Sequence, residues 1–382
     1  MHDCHREIAR WLEAVGVSPT IDPVGNLRAL YPGSDPAAAR LLIGSHLDTV
    51  PNAGAFDGIL GVVIAIGLLE ALEGRPLPFG IEVIGFSEEE GVRFGVPFIG
   101  SRALMGTIDE EILKRKDSEG ISVRRAIEQF GLDPTQIPET SLQGEILGYV
   151  EFHIEQGPVL ENLNLPLAAV EAIAGQTRQQ FTFTGKTNHA GTTPMNLRQD
   201  ALAAAAEWIF AVEQEARSVA GLVATVGAIE AKPGATNVIA GEVRASLDVR
   251  HVSDGIRSRS MLAIAGHAQE IAKRRGIEFK QTTLLDQRAV AMDSFLVAQI
   301  DQAIRETGCK PHRMVSGAGH DAMVMAEGVP AAMIFLRSPG GISHNPAETV
   351  LVEDVARAIE CGMHLLAQLA STSKSFGRIS LA

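Results

Sequence analysis

The chain of 382 residues is poor in cysteine, in aromatic side chains and in unbroken apolar runs, and each shortage excludes something. Its three cysteines, Cys4, Cys309 and Cys361, are odd in number and have no paired spacing, so neither a disulfide framework nor a thiolate zinc site is expected, and a reducing cytoplasm is. The longest apolar stretch, residues 59–72, is interrupted by Gly61, Gly67 and Glu70; it is too short to span a bilayer and reads as a buried helix. Basic charge is also scarce. A net charge of -13 argues against nucleic acid and anionic membrane surfaces, which need clustered Lys and Arg. The opening residues Met1-His2-Asp3-Cys4-His5-Arg6 carry no apolar signal-peptide core. Two catalytic patterns are missing as well, the H-E-x-x-H zinc helix and the G-x-S-x-G nucleophile elbow. Gly317-Ala318-Gly319 only faintly echoes a dinucleotide fingerprint, without the strand and the ribose-binding acid expected around it. Cys309 and Cys361 fall in helical patterns with no nearby histidine partner, which disfavours a cysteine nucleophile.

What the chain does have is a set of acidic and histidine-bearing segments placed after apolar runs. Gly44-Ser45-His46-Leu47-Asp48-Thr49-Val50 follows Leu41-Leu42-Ile43, and Phe56-Asp57-Gly58 comes after a Pro/Gly-rich turn. Phe86-Ser87-Glu88-Glu89-Glu90-Gly91 follows the apolar run 81–84. Further on stand His153-Ile154-Glu155-Gln156-Gly157-Pro158 and Gly340-Gly341-Ile342-Ser343-His344-Asn345-Pro346. Ligand-type side chains at the ends of buried strands are where open α/β sheets place their active sites, and four such segments together indicate a metal site.

Length and rhythm predict two domains. Helices are expected over 8–15 and 58–72 and strands over 41–43 and 81–86, a βαβ alternation that implies a mostly parallel sheet covered by helices. The same theme resumes with a strand over 332–336 and an amphipathic helix over 352–370. Between them the texture changes. Residues 178–184 alternate polar and apolar, 200–219 form an Ala-rich helix, 221–229 and 241–249 read as strands, and 255–275 as another helix. The expected fold is α/β: a mostly parallel-sheet catalytic domain over 1–173 and 289–382, with a smaller α+β domain inserted over 174–288.

A hydrolytic two-metal centre needs a bridging carboxylate, terminal imidazole and carboxylate ligands, and a base that is not itself a ligand. His46 and Asp48 lie two apart on an extended strand and so share a face, which lets Asp48 orient the imidazole. Asp57, in a glycine-flanked turn before a helix, is placed to bridge. In Glu88-Glu89 the two side chains must point in different directions, so that one can bind a metal while the other faces the reacting water. Composition alone would make the run 88–90 a solvated loop; its position after a buried strand argues otherwise. His267 and His364, inside amphipathic helices, read as structural or solvated, and His320-Asp321 stands evenly between support for a ligand and a histidine satisfied by its own backbone.

These motifs, with Asn188-His189-Ala190-Gly191-Thr192-Thr193-Pro194-Met195, resemble the dinuclear zinc amidohydrolases of the aminoacylase/carboxypeptidase superfamily. Within it they resemble the hydantoinase/carbamoylase branch, which holds N-carbamoyl-L-amino-acid hydrolases, β-ureidopropionases and allantoate amidohydrolases. The likeness runs from about Trp11 to Leu366. It implies two divalent metal ions, zinc first, with manganese, cobalt or nickel also suited to such ligands. One would be held by His46, Asp57 and His153 and the other by Asp57, Glu89 and His344, with Glu88 as general base and Asp48 orienting His46. It further implies that the inserted domain is a lid that dimerises, and that His189 reaches a neighbouring subunit's site to stabilise the oxyanion. Asn237 and Arg250 would hold the substrate carboxylate, with Gln156 lining the same pocket. From the residues alone, Arg250 would read as a surface ion pair and His189 as a loop histidine fixed by its own turn. The implied reaction is hydrolysis of an N-carbamoyl-L-amino acid to the amino acid, ammonia and carbon dioxide; allantoate hydrolysis is the nearest alternative, and a dipeptidase or aminoacylase a more distant one. Arg337-Ser338-Pro339-Gly340-Gly341 favours the carbamoylases slightly. The resemblance also implies about thirty further residues ahead of the first helix; if they cover apolar surface, their absence is expected to lower stability.

Overall fold

The computed structural model describes residues 1–373, so the end of the expected catalytic domain, 374–382, lies outside the described residues. The chain divides into two units, Met1–Glu171 with Ala291–Ala382, and Ala172–Val290. The larger unit is α/β with a mainly parallel sheet. Strand order runs Pro19–Ile21, Leu27–Tyr31, Gly80–Phe86, Arg40–His46, Ile146–Ile154, Ala331–Leu336 and Leu167–Ile173. The four central strands of that order are mutually parallel, and the strands flanking them are antiparallel. All seven residues of Gly80–Phe86 and all six of Ala331–Leu336 are buried, as strands covered on both faces must be.

The helix Ile59–Leu72 buries nine side chains or glycines around its whole circumference, which is why its sequence is apolar all round rather than striped. It starts at Gly58, whose φ of 70° belongs to the left-handed region and whose missing Cβ leaves room for the His46 ring. No described helix is long and apolar enough to cross a membrane.

The first helix, His2–Ala14, begins six residues before the expected one, because its first turn is polar and carries no periodic signal; Ile8 and Leu12 mark its buried face. His5 lies on that face, 6% exposed, with Nε2 lacking a hydrogen-bond partner. Burial pushes its imidazole down to about 4 from the usual 6.5, so it is neutral when folded. Because the unfolded chain takes up the proton first, stability is lost as pH falls from about 6.5 to about 4, with no further loss from this group below that. Thermal unfolding of His5→Leu should therefore show a smaller fall in Tm across that window than the parent; equal falls would refute a neutral buried His5.

The smaller unit is α+β. Its antiparallel sheet runs Ile229–Lys232, Glu242–His251, Gly175–Thr184, Glu278–Gln287, and Val223–Thr225 also pairs with Glu242–His251. Helices Ala201–Ser218 and Asp254–Arg275 pack on it, the first through Trp208, stacked on Phe181 at 4.4 Å between ring centroids, and the second through Ile264 and Ala268. Asp200 caps the first helix by accepting from the N–H groups of Leu202 and Ala203, and Ser253 caps the second. The expected strand over 221–229 is two short strands instead, interrupted where the Ser246 hydroxyl accepts the N–H of Ala228. Glu278–Gln287 was not expected as a strand: it is an edge strand, mostly exposed and polar, so the alternation that marks a half-buried strand is absent.

Candidate metal centre

Three histidines and three carboxylates converge at the carboxyl ends of the four parallel strands. His46 closes its strand, His153 is the penultimate residue of Ile146–Ile154, and the segments 87–90 and 337–344 follow Gly80–Phe86 and Ala331–Leu336. Asp57 comes from the turn that leads into Ile59–Leu72. Asp57 Oδ1 lies 3.3 Å from His153 Nε2, and Oδ2 lies 3.0 Å from His344 Nε2, so one carboxylate faces two different imidazoles. The nitrogens His46 Nε2 and His153 Nε2 are 3.4 Å apart. Two ligand groups result: His46, Asp57 and His153 form one, and Asp57, Glu90 and His344 the other.

The second group differs from the expected one by a residue. Glu90, not Glu89, approaches His344, with Oε1 3.6 Å from its Nε2. Glu89 faces His46 instead, at 3.9 Å, and belongs with Glu90 and His46 in a third convergence of ligand atoms. Glu88 turns aside and lines a cleft of about 500 Å³ with Asp48, Val50, Pro51, Val92 and Arg93. The backbone at Glu88, whose φ of 54° leaves the extended region, sends the three acids in these different directions.

Asp48 also acts differently from expectation. The ring of His46 donates from Nδ1 to the main-chain oxygen of Asp48 at 2.8 Å, which turns Nε2 toward the site, while the Asp48 carboxylate stands 3.9 Å from that ring. That carboxylate instead accepts the N–H groups of Glu89 and Glu90 at 3.0 and 3.1 Å, fixing the turn that carries both acids. His153 is oriented likewise, Nδ1 donating to the oxygen of Ile154 at 2.9 Å. His320 is buried, hydrogen-bonded to the Ser316 hydroxyl at 2.9 Å, and packs edge-on against His153 at 4.5 Å between ring centroids. It supports a candidate ligand by packing and is itself satisfied by a side chain. Below it, buried Glu151 accepts from the Ser45 hydroxyl and the Ala322 N–H.

The electrostatics fit divalent cations. Asp57 Oδ2 and Glu90 Oε1 are buried without a hydrogen bond, and both point into the second ligand group. Burial raises the carboxyls of Glu89 and Glu90, opposed by His46 and reinforced by neighbouring acids. Burial would neutralise His46, yet Glu89, Asp48 and Asp57 outweigh it and push the imidazole up to about 10. His153 is pushed down to about 4, by burial first and by His46, against the pull of Asp57. Glu88 is raised to about 7 by burial and Asp48, with Arg93 opposing. So many acids crowded into one buried pocket call for positive charge, and imidazole with carboxylate is a donor set suited to zinc and its neighbours.

The amide of Gln156 donates to Asp57 Oδ1 at 3.0 Å and lies 3.4 Å from His344 Nε2, among the candidate ligands. His189, Asn237 and Arg250 all belong to the smaller unit. There His189 pairs in register with Val238, and Asn237 O accepts the N–H of Ala190, so His189 and Asn237 sit on one two-stranded ribbon. His189 Nδ1 accepts from the N–H groups of Gly191 and Thr192, which leaves Nε2 as the donor. Arg250 binds Asp248 through two parallel hydrogen bonds of 2.8 and 2.9 Å, and Arg178 shares the same carboxylate.

Sequence reasoning missed Glu90, Glu151 and Glu348. Only Glu90 carried a signal, its place in a run of three acids. Glu348 accepts the N–H of Asp57 and sits in a loop without periodicity.

A sheet with imidazole and carboxylate pairs at its parallel strand ends, interrupted by an α+β unit, defines a metallohydrolase fold. The chain belongs to peptidase family M20/M25/M40, whose model matches residues 42–368. It is 40% identical to the N-carbamoyl-L-amino acid amidohydrolase of Geobacillus stearothermophilus, over 95% of this chain and 90% of that one. It is 34% identical to the allantoate amidohydrolase of Escherichia coli strain K12, over 96% and 90% of the two chains. An amidase of the hydantoinase/carbamoylase family from Burkholderia multivorans has a similar structure, with a TM-score of 0.90 at 32% identity, over 96% of this chain and 89% of that one. The branch implied by the motifs is thus the one the relatives occupy.

Proposed function

We propose that this chain is a metal-dependent amidohydrolase that cleaves the ureido C–N bond of N-carbamoyl-L-amino acids, giving the amino acid, ammonia and carbon dioxide. The observation that carries the reading is Asp57, whose two oxygens face His153 and His344 separately. Two divalent cations, zinc first among them, held by His46, Asp57 and His153 and by Asp57, Glu90 and His344, would polarise a poor ureido electrophile and make water a nucleophile at neutral pH. Glu88 is the general base in this reading, taking the proton of the attacking water and returning it to the departing nitrogen. It lines the cleft beside Asp48 without joining either ligand group, and burial raises its carboxyl to about 7. Glu89 stays with His46 and Glu90 among the candidate ligands, its N–H held by the Asp48 carboxylate. Gln156 lines the same pocket, next to Asp57.

The inserted unit acts as a lid and dimerisation domain. Supporting this, Phe210, Leu262 and Leu284 of that unit are 62%, 74% and 64% exposed, apolar side chains that a partner subunit would cover. His189, with Nε2 free to donate, stabilises the oxyanion in a neighbouring subunit's site, and sedimentation of the protein as a monomer would remove that role. Asn237 and Arg250 hold the substrate carboxylate, Arg250 being held in place by Asp248. The enzyme is cytoplasmic in this reading, which is supported by three cysteines without paired spacing.

Allantoate is the second substrate reading, favoured by the allantoate amidohydrolase of Escherichia coli and by allantoate deiminase 2 of Glycine max, 38% identical to this chain. Ammonia release by the metal-loaded protein separates the two on a panel of N-carbamoyl-L-amino acids, N-carbamoyl-β-alanine, allantoate, N-acetyl amino acids and dipeptides. Carbamoyl amino acids should be the best substrates, and Arg250→Ala should raise their KM by about 10–100-fold, as loss of a bidentate charged contact does. Turnover of acyl or peptide substrates alone would overturn the ureido reading.

A further inference from the structure

The two loops that carry Asp57 and His344 are tied behind the candidate ligands by a buried acid, Glu348, which bonds the backbone of one and a side chain of the other. Glu348 is 5% exposed. Its Oε1 accepts the N–H groups of Phe56 and Asp57, both at 3.0 Å, and its Oε2 accepts the Ser343 hydroxyl at 3.1 Å. One oxygen therefore grips the backbone of the Asp57 turn, and the other grips the residue before His344. The turn is shaped to admit it. Gly54 lies so close that a Cβ there would overlap the Cβ and carboxylate of Glu348. The carboxylate makes no contact with the ligand atoms; it fixes the main chain behind them, while the Ser343 hydroxyl also receives the Gln156 amide at 3.3 Å.

From this geometry we infer that Glu348 is a positioning residue for the metal centre, setting the spacing between the Asp57 carboxylate and the His344 imidazole. The inference rests on the two-cation reading above. Without Glu348 the N–H groups of Phe56 and buried Asp57 lose their acceptor and Ser343 loses its anchor, so the 3.0 Å approach of Asp57 Oδ2 to His344 Nε2 is no longer enforced. Residues that orient ligands from behind typically change metal affinity by about 10–100-fold when removed.

The test is a zinc titration of the metal-free protein against a competing chelator, with affinity referred to the folded fraction read by circular dichroism. Glu348→Ala should bind zinc about 10–100-fold more weakly than the parent. Gly54→Ala, whose methyl displaces the Glu348 carboxylate, should lose affinity in the same direction. Glu348→Gln keeps an oxygen for the Phe56 and Asp57 amides and should lose less than Glu348→Ala. A purely structural role would lower the Tm of metal-free Glu348→Ala and leave its zinc affinity at the parent value, and that result overturns the inference. If Glu348→Ala does not fold, the other two variants decide: weakened binding in Gly54→Ala with a smaller loss in Glu348→Gln supports it, and parent affinity in both refutes it. A parent protein that binds no zinc is a separate failure, which removes the two-cation reading and the inference with it.

Discussion

Glu88→Gln should lower kcat by about 10²–10⁴ while the protein keeps its full complement of metal, the usual contribution of a well-placed general base. Gln has the same shape and can accept a hydrogen bond, but it cannot take a proton. Glu88 lines the cleft with Asp48 and Arg93, outside the ligand groups, and burial and Asp48 raise its carboxyl to about 7. Glu89→Gln should instead weaken metal binding, because Glu89 sits 3.9 Å from His46 Nε2, beside Glu90, among the candidate ligands. Measuring ammonia release and bound metal on both variants settles which acid is the base: full metal with the greater loss of kcat in Glu89→Gln would make Glu89 the base and overturn the assignment.

Asp57→Asn should have the second large effect, loss of both cations together. The carboxylate faces His153 through one oxygen and His344 through the other, whereas an amide can offer only one oxygen to one of them. His344→Ala removes a ligand from one group only and should leave about one cation bound. Activity in Asp57→Asn should fall by about 10³ or more, since metal ions supply several kcal/mol of charge stabilisation in such reactions and each ~1.4 kcal/mol is tenfold in rate. Elemental analysis of dialysed protein reads the stoichiometry directly. Retention of two cations by Asp57→Asn would show that the carboxylate does not bridge.

The strand ends were legible in the sequence because two signals coincide there: an apolar run dense enough to be buried on both faces, then a polar group that only a site would place there. That combination drew attention to His46 and to the acidic run 88–90; Asp57, His153 and His344 were named as ligands through the resemblance of their motifs. The acidic run was legible as a place and not as an order. Glu88 leaves the extended region at φ 54°, so strand alternation does not carry forward from Phe86 into the run, and which acid faces which group is read only from the fold. Asp48 shows a related limit. Residues i and i+2 share a face only while the strand continues, and the strand stops at His46. What orients the ring is then the main-chain oxygen of Asp48, a group every residue possesses and no sequence pattern can flag. Glu348 is a lone acid in a loop, meaningful only through a partner 291 residues away. The exposed edge strand Glu278–Gln287 failed for the opposite reason, having no buried face to impose a pattern.

The central claim, two cations sharing Asp57 with Glu90 and not Glu89 as the acid beside His344, is tested most directly by anomalous diffraction from zinc-loaded crystals at the zinc edge. Two peaks per subunit are expected, one among His46, Asp57 and His153 and one among Asp57, Glu90 and His344. A single peak, or a second peak bound by Glu89 with Glu90 turned away, would contradict it.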